Sequence, residues 1–186
     1  PLCRTDLPPG PEDAYMKASL LMKKLDCRVD AKTQEGQEMI DEMISLYKCA
    51  AEEGFMLAQF PLATIYYRSI GVNQDYAKAY EWYLKAAAQG HVESQSSLGF
   101  IYANGRGVKQ DFAKGCEWWL KAASQGHAES QYNLGYMYRF GQGVKQDYVK
   151  AREWLLKSAA QGYVDSKYIL GNMYYRGEGV KQDYVE

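Results

Sequence analysis

No apolar run in this sequence approaches the ~20 residues that a helix needs to cross a bilayer, which argues against a helical membrane span. Charge of one sign is lacking too. The 22 lysines and arginines stand against 23 aspartates and glutamates, for a formal net charge of −1. Without a basic field there is no case for nucleic acid, and without an acidic block there is none for a disordered tail. Cysteine is sparse: Cys3, Cys27, Cys49 and Cys116, with no C-x-x-C and no Cys/His ligand spacing. Zinc, and metal in general, is therefore not expected. No signal peptide is visible, yet the chain begins Pro-Leu-Cys without Met. It reads as trimmed, which leaves an upstream export signal open.

What is abundant is repetition. GVNQDY at 71–76 returns as GVKQDF at 107–112 and as GVKQDY at 143–148 and 179–184. Asp75, Asp111, Asp147 and Asp183 stand 36 residues apart, and so do Trp82, Trp118 and Trp154, and Tyr66, Tyr102, Tyr138 and Tyr174. A fixed period of 20–50 residues marks a stacked array of small units. With 47% hydrophobic residues and 17 tyrosines, such an array can bury a continuous core.

Residues 91–126 show how one unit is built. Ser94, Leu98, Ile101 and Tyr102 share one helical face. Gly105-Arg106-Gly107 ends that helix by offering left-handed backbone, and Val108 pins the loop. Asp111 is placed to cap a second helix over about 112–125. On it Gly115, Trp118, Trp119 and Ala122 form the expected buried face. Glu81–Lys85, Glu117–Lys121 and Glu153–Lys157 are expected to pair at i, i+4 on the solvent side. Small residues recur at Ala63, Gly99, Gly135 and Gly171 on the first helix and at Ala79, Gly115 and Ala151 on the second, as close packing demands.

Apparent chemical motifs do not survive their context. Gly105-Arg106-Gly107 matches part of a dinucleotide loop, but a third glycine and a preceding strand are missing. No cofactor is expected. His91 and His127 sit one period apart with Phe55 and Tyr163 at the same register. A position that accepts Phe, His, His and Tyr is a packing position, and stacked hairpins hold the imidazoles too far apart for one metal. Ser45-Leu46-Tyr47-Lys48 spells S-x-x-K, but its S-D-N and K-T-G companions are absent.

The pattern Ser130, Leu134-Gly135, Tyr138, Gly141, Gly143-Val144, Asp147, Lys150-Ala151, Trp154, Lys157-Ser158-Ala159 and Gly162 resembles the Sel-one-like repeat (SLR), a relative of the tetratricopeptide repeat. The likeness covers about 55–186. Ser69 replaces the first loop glycine in the first copy, Pro61 interrupts its first helix, and Gly115 stands where the family has Ala. The resemblance implies an all-α fold, a right-handed α/α superhelix (solenoid) of antiparallel helix hairpins. It implies a non-enzymatic, protein-binding scaffold or adaptor, with an inhibitor or immunity-type protein that clamps a toxin or enzyme as the second reading. A β-lactam-handling enzyme is a distant third, since some family members are linked to β-lactam binding. The near-identical copies read as bacterial, with a periplasmic or secreted location preferred to the cytoplasm.

The expected organisation is an N-terminal extension at 1–10, a divergent leading hairpin at 11–54, and repeats at 55–90, 91–126 and 127–162 with an incomplete one at 163–186. In the leading hairpin, helices are expected near 12–26 and 37–53, joined by a loop through Thr33-Gln34-Glu35-Gly36. Asp183 would cap a helix with only three residues left, so the natural protein is expected to continue. Whether the cysteines are oxidised depends on the compartment; if a disulfide forms, the hairpin geometry favours Cys3–Cys49. On each first helix the face opposite the core, at ~100° per residue, is variable and rich in rings. Phe60, Tyr67, Phe100, Tyr132, Tyr136, Arg139, Tyr168 and Tyr175 are the expected contacts for a protein or peptide partner on a concave surface. The Tyr132 and Tyr136 rings are expected to be free enough for truncation to spare the fold, whereas Trp118 is expected to be core.

Overall fold

The computed structural model describes residues 10–27 and 33–179. Among them are helices and no strand: α1 (Pro11–Cys27), α2 (Gln34–Glu52), α3 (Met56–Arg68), α4 (Tyr76–Ala88), α5 (Val92–Asn104), α6 (Phe112–Ser124), α7 (Ala128–Phe140), α8 (Tyr148–Ala160) and α9 (Val164–Arg176). The chain divides into two compact units, residues 1–89 with α1 to α4 and residues 90–186 with α5 to α9. Within each unit every helix packs on the next in sequence, α1 on α2 and α2 on α3, then α5 on α6 through to α8 on α9. This is the all-α stacking of helical hairpins that the period implies.

The recurring hexapeptide is a double cap. Asp75, Asp111 and Asp147 accept the backbone N–H of Lys78, Lys114 and Lys150 at 2.9–3.0 Å, closing the start of α4, α6 and α8. The preceding glutamine closes the helix before. Gln74, Gln110 and Gln146 donate Nε2 to the carbonyls of Tyr67, Ala103 and Arg139 at 2.8–3.0 Å. Each loop thus satisfies one orphan donor and one orphan acceptor with adjacent side chains. The second loop glycine has a stricter duty. Gly143 holds φ 71°, and a Cβ there would overlap the Phe112 carbonyl at the start of α6. The loop of one repeat lies backbone to backbone on the helix of the last.

A ladder of glutamines, one of each pair buried and the other exposed, ties the hairpins. In unit 1 Gln89 donates to Gln59 at 2.9 Å, and Gln59 donates to the Ala51 carbonyl at 3.3 Å. In unit 2 Gln161 donates to Gln131 at 2.8 Å, and Gln131 to the Ala123 carbonyl at 3.1 Å. The period also places Gln125 on Gln95 at 2.8 Å. Sequence reading passes over these residues because a lone glutamine looks like surface.

Three expectations need correction. Trp119, not Trp118, fills the interior of its hairpin: Trp119 is 2% exposed and Trp118 only half-buried. The buried register reads Tyr83, Trp119, Leu155, so the varying residue is core and the periodic tryptophan lies at its edge. Among the described residues Lys85, Lys121 and Lys157 do not pair with glutamates. They lie over the rings of Trp82, Trp118 and Trp154 at 3.9, 3.9 and 4.3 Å. A half-buried indole offers the lysine stem apolar cover as well as a π face, which a solvated carboxylate does not. Finally, Thr33-Gln34-Glu35-Gly36 is a helix start rather than a loop. The Thr33 hydroxyl accepts the Gly36 N–H at 3.1 Å, and α2 begins at Gln34.

His91 and His127 do more than pack. Each cyclically places Nδ1 as acceptor for a backbone N–H, Ser94 and Ser130 respectively, at 3.2 Å, capping α5 and α7. Burial pushes the His91 pKa below its ordinary 6.5, against an opposing pull from Glu93. Cys116 is buried with its sulfur 3.6 Å from the Gln142 carbonyl, and burial, with Glu117, raises its pKa to about 11. It is a protonated packing thiol at neutral pH. Cys3 lies outside the described residues, and with it the Cys3–Cys49 pairing; the Cys49 thiol donates to Glu53 at 3.8 Å.

Candidate partner-binding groove

The eight stripe residues fall into distinct settings. In unit 1, Phe60 and Tyr67 on α3 turn toward α4. Phe60 lies 5.7 Å from the Tyr83 ring, and Tyr67 lies 5.3 Å from Tyr76 and 6.2 Å from Tyr83. In unit 2, Phe100 meets Trp119 edge-on at 5.3 Å and 83°. These three rings are half-buried and spend much of their surface inside their own hairpins.

Four of the eight gather round one groove. Tyr132, Tyr136 and Arg139 from α7 and Tyr168 from α9 line a volume of about 310 Å³, together with Phe140, Asp165, Ile169 and Asn172. The walls form because α7 and α9 are first helices of successive hairpins, and both pack on α8 between them. Tyr168 is 72% exposed; Tyr175, further along α9, is 79% exposed and does not line the groove. Phe140, Asp165 and Ile169 escape the sequence reading. Phe140 lies four residues after Tyr136 and Asp165 three before Tyr168, so helical adjacency is the signal that would find those two. Ile169 directly follows Tyr168 and has no such signal.

The Tyr132 and Tyr136 rings are less free than the sequence suggests. Tyr132 packs 5.1 Å from Tyr163, and both Tyr132 and Tyr136 lie against the cluster of Ala151, Leu155, Ile169, Leu170 and Met173. Their truncation will lower stability, which corrects the expectation that it spares the fold. Burial raises the Tyr132 pKa, with the Asp165 charge and then Tyr136 adding to it. Arg139 is turned inward: its side chain is 8% exposed and Nε donates to Glu178 Oε2 at 2.7 Å. Its guanidinium also lies 5.2 Å from the Phe140 ring centre. Outside the groove, Ser45 is exposed on α2, and Lys48 pairs with Glu52 at 3.9 Å.

The sequence matches the Sel1 repeat at residues 57–91, 92–127, 128–163 and 164–186. No curated protein matches the chain. Among solved structures it is similar to c5321, a protective antigen of uropathogenic Escherichia coli strains with an SLR fold. The two are 38% identical with a TM-score of 0.82, over 91% of this chain and 35% of that one. A Sel1 repeat protein from Oxalobacter formigenes is 27% identical with a TM-score of 0.79, over 94% of this chain and 67% of that one. Helicobacter pylori cysteine rich protein B shares the fold at 24% identity and a TM-score of 0.57, over 75% of this chain and 98% of that one. The chain thus spans about a third of the length of the E. coli relative and two thirds of the Oxalobacter one. Four matched repeats covering most of the sequence make this chain a member of the Sel1 repeat family.

Proposed function

We propose that the chain is a non-enzymatic protein-interaction scaffold that seats a segment of a partner protein in the groove between α7 and α9. Sel1 repeat proteins mediate protein–protein interaction, and the fold offers a stack of rigid helices on which to do so. One observation carries the choice of site: Tyr168, 72% exposed, faces Tyr132, Tyr136 and Phe140 across an open volume. Tyrosine is favoured at interface centres because it offers rigid apolar area with a polar end. The rings of α3 and α5 are less available, being turned on Tyr83 and Trp119.

A photo-crosslinking phenylalanine derivative placed at Tyr168, in cells of the native source, tests the reading. A discrete protein adduct is expected there and not from the same group at Leu120, an exposed position on α6. Equal adducts from both positions, or none from Tyr168, would move the site elsewhere.

A further inference from the structure

The groove between α7 and α9 is unbalanced in charge. Among the described residues its one lining cation, Arg139, is already neutralised by Glu178 and faces inward. Its carboxylate, Asp165, is exposed and has no lysine, arginine or histidine within 4.0 Å among the described residues. Glu129, in the first turn of α7, has none either. Both charges bear on the rings beside them. Burial, then Glu129 and Asp165, push the Tyr163 phenol upward, and the Tyr163 ring packs at a tilt 5.1 Å from Tyr132.

The rings tell the same story. This chain habitually covers aromatic faces with its own cations. Lys121 covers Trp118 and Lys157 covers Trp154, while Lys114 and Lys150 lie 5.5 Å from Tyr102 and Tyr138. Among the described residues no such cation covers Tyr132, Tyr136 or Tyr168. The volume of about 310 Å³ is at the low end of the ~300–1,000 Å³ range of ligand pockets. That suits one long side chain better than a folded ligand.

We infer that the groove receives an arginine or lysine side chain from an extended segment of a partner protein, its cation stacked on the tyrosine rings and its charge answered by Asp165. Ring quadrupoles attract cations most strongly where water is displaced. A planar guanidinium can stack and also present a two-pronged donor to a carboxylate. Arginine is therefore preferred to lysine. This occupant presupposes the docking reading above, so the test separates the two.

Random dodecapeptides displayed on phage are panned on the intact chain, and the enriched peptides are measured by fluorescence anisotropy. Peptides that use the groove are those weakened at least tenfold by Tyr168→Ala. These are expected to share an arginine or lysine whose replacement by citrulline or norleucine weakens binding at least tenfold. Asp165→Asn is expected to weaken the arginine peptide at least fivefold and leave its citrulline form unchanged, with Asp165→Glu restoring affinity. Groove-dependent peptides with no basic requirement, or equal affinity for arginine and citrulline forms, would overturn the cationic occupant and leave docking standing. Peptides indifferent to Tyr168→Ala, or no binders at all, would overturn docking itself and the occupant with it.

Discussion

Truncating Trp119 tests the interior of the array. The side chain is 2% exposed, the largest fully buried one among the described residues, and meets Phe100 edge-on at 5.3 Å. Replacement of a buried Trp by Ala costs ~3–5 kcal/mol, and the ring pair adds ~0.5–1.5 kcal/mol. One term opposes: the indole Nε1 is buried without an acceptor, a standing cost of ~1–3 kcal/mol that truncation removes. The net expectation is ~3 kcal/mol. Trp118 is half-buried under Lys121, so its loss should cost ~1–2 kcal/mol from partial burial and the cation contact. A second variant sharpens the contrast. A Cβ on Gly99 would overlap the Trp119 indole. In the native background Gly99→Ala should lose stability, since overpacking at ~1–3 kcal/mol exceeds the ~1 kcal/mol that Ala gains over Gly in a helix. In the Trp119→Ala background the obstacle is gone and the same change should stabilise. Urea unfolding followed by circular dichroism gives all four corners of the cycle. If Trp118→Ala costs as much as Trp119→Ala, or Gly99→Ala keeps one sign in both backgrounds, the hairpin interior is wrongly assigned.

Gly143→Ala should cost more than ~2 kcal/mol by thermal melting, because left-handed backbone and overlap with the Phe112 carbonyl act together; a loss under ~1 kcal/mol would mean that the loop lifts off α6 freely. Ser69, at φ 61°, is the only non-glycine with positive φ among the described residues; Ser69→Gly should stabilise by up to ~1 kcal/mol, less the exposed Oγ bond to the Val72 carbonyl at 2.7 Å. His91 caps α5 only while Nδ1 is unprotonated, and its folded pKa lies below 6.5. Its contribution is therefore full above pH ~6.5 and is lost as pH falls through the folded pKa; His91→Asn, which keeps a cap, should flatten part of the stability loss between pH 7 and 5 in denaturant titrations. Glu178→Ala leaves Arg139 buried and unpaired, at ~3–5 kcal/mol, whereas Arg139→Met/Glu178→Ala should recover most of that; a double variant no more stable than the single would contradict the pairing.

The fold was legible because the period repeats what every hairpin needs. Asp111 and its equivalents announce helix starts through a side chain of known habit, and Gly105 and Gly141, at φ 65° and 67°, announce helix ends. What escaped was anything set by partners distant in sequence. Trp118 and Trp119 are neighbours of one type, and only the position of α5 decides which is enclosed. The lysine three residues on looked like half of an ion pair because a glutamate was also in reach; the ring won. Gln131 gave no local sign that its amide spans from Gln161 to the Ala123 carbonyl. Half of the expected site residues line one groove, since a helical wheel gives a direction and not a neighbour.

Departures from the period are of two kinds, and they carry different information. Where Trp119 and Leu155 differ at one register, the chain answers with Gly99 and Gly135, on which a Cβ would overlap the indole and the leucine respectively. Such a departure is balanced inside its own hairpin and concerns stability. Phe100 belongs with it, since its ring is turned on Trp119, and Tyr67 does likewise against Tyr76 and Tyr83. Tyr132 and Tyr168 share the register of Phe60 and Ser96, yet Tyr168 stays 72% exposed and Asp165, one turn earlier, has no ion-pair partner among the described residues. Tyr132 is packed on Tyr163, but among the described residues no cation pairs with Asp165 or covers the Tyr168 ring. An exposed ring gives up burial and gains no packing, and beside an unanswered carboxylate on one helical turn it is the kind of surface the proposed cationic partner segment would use.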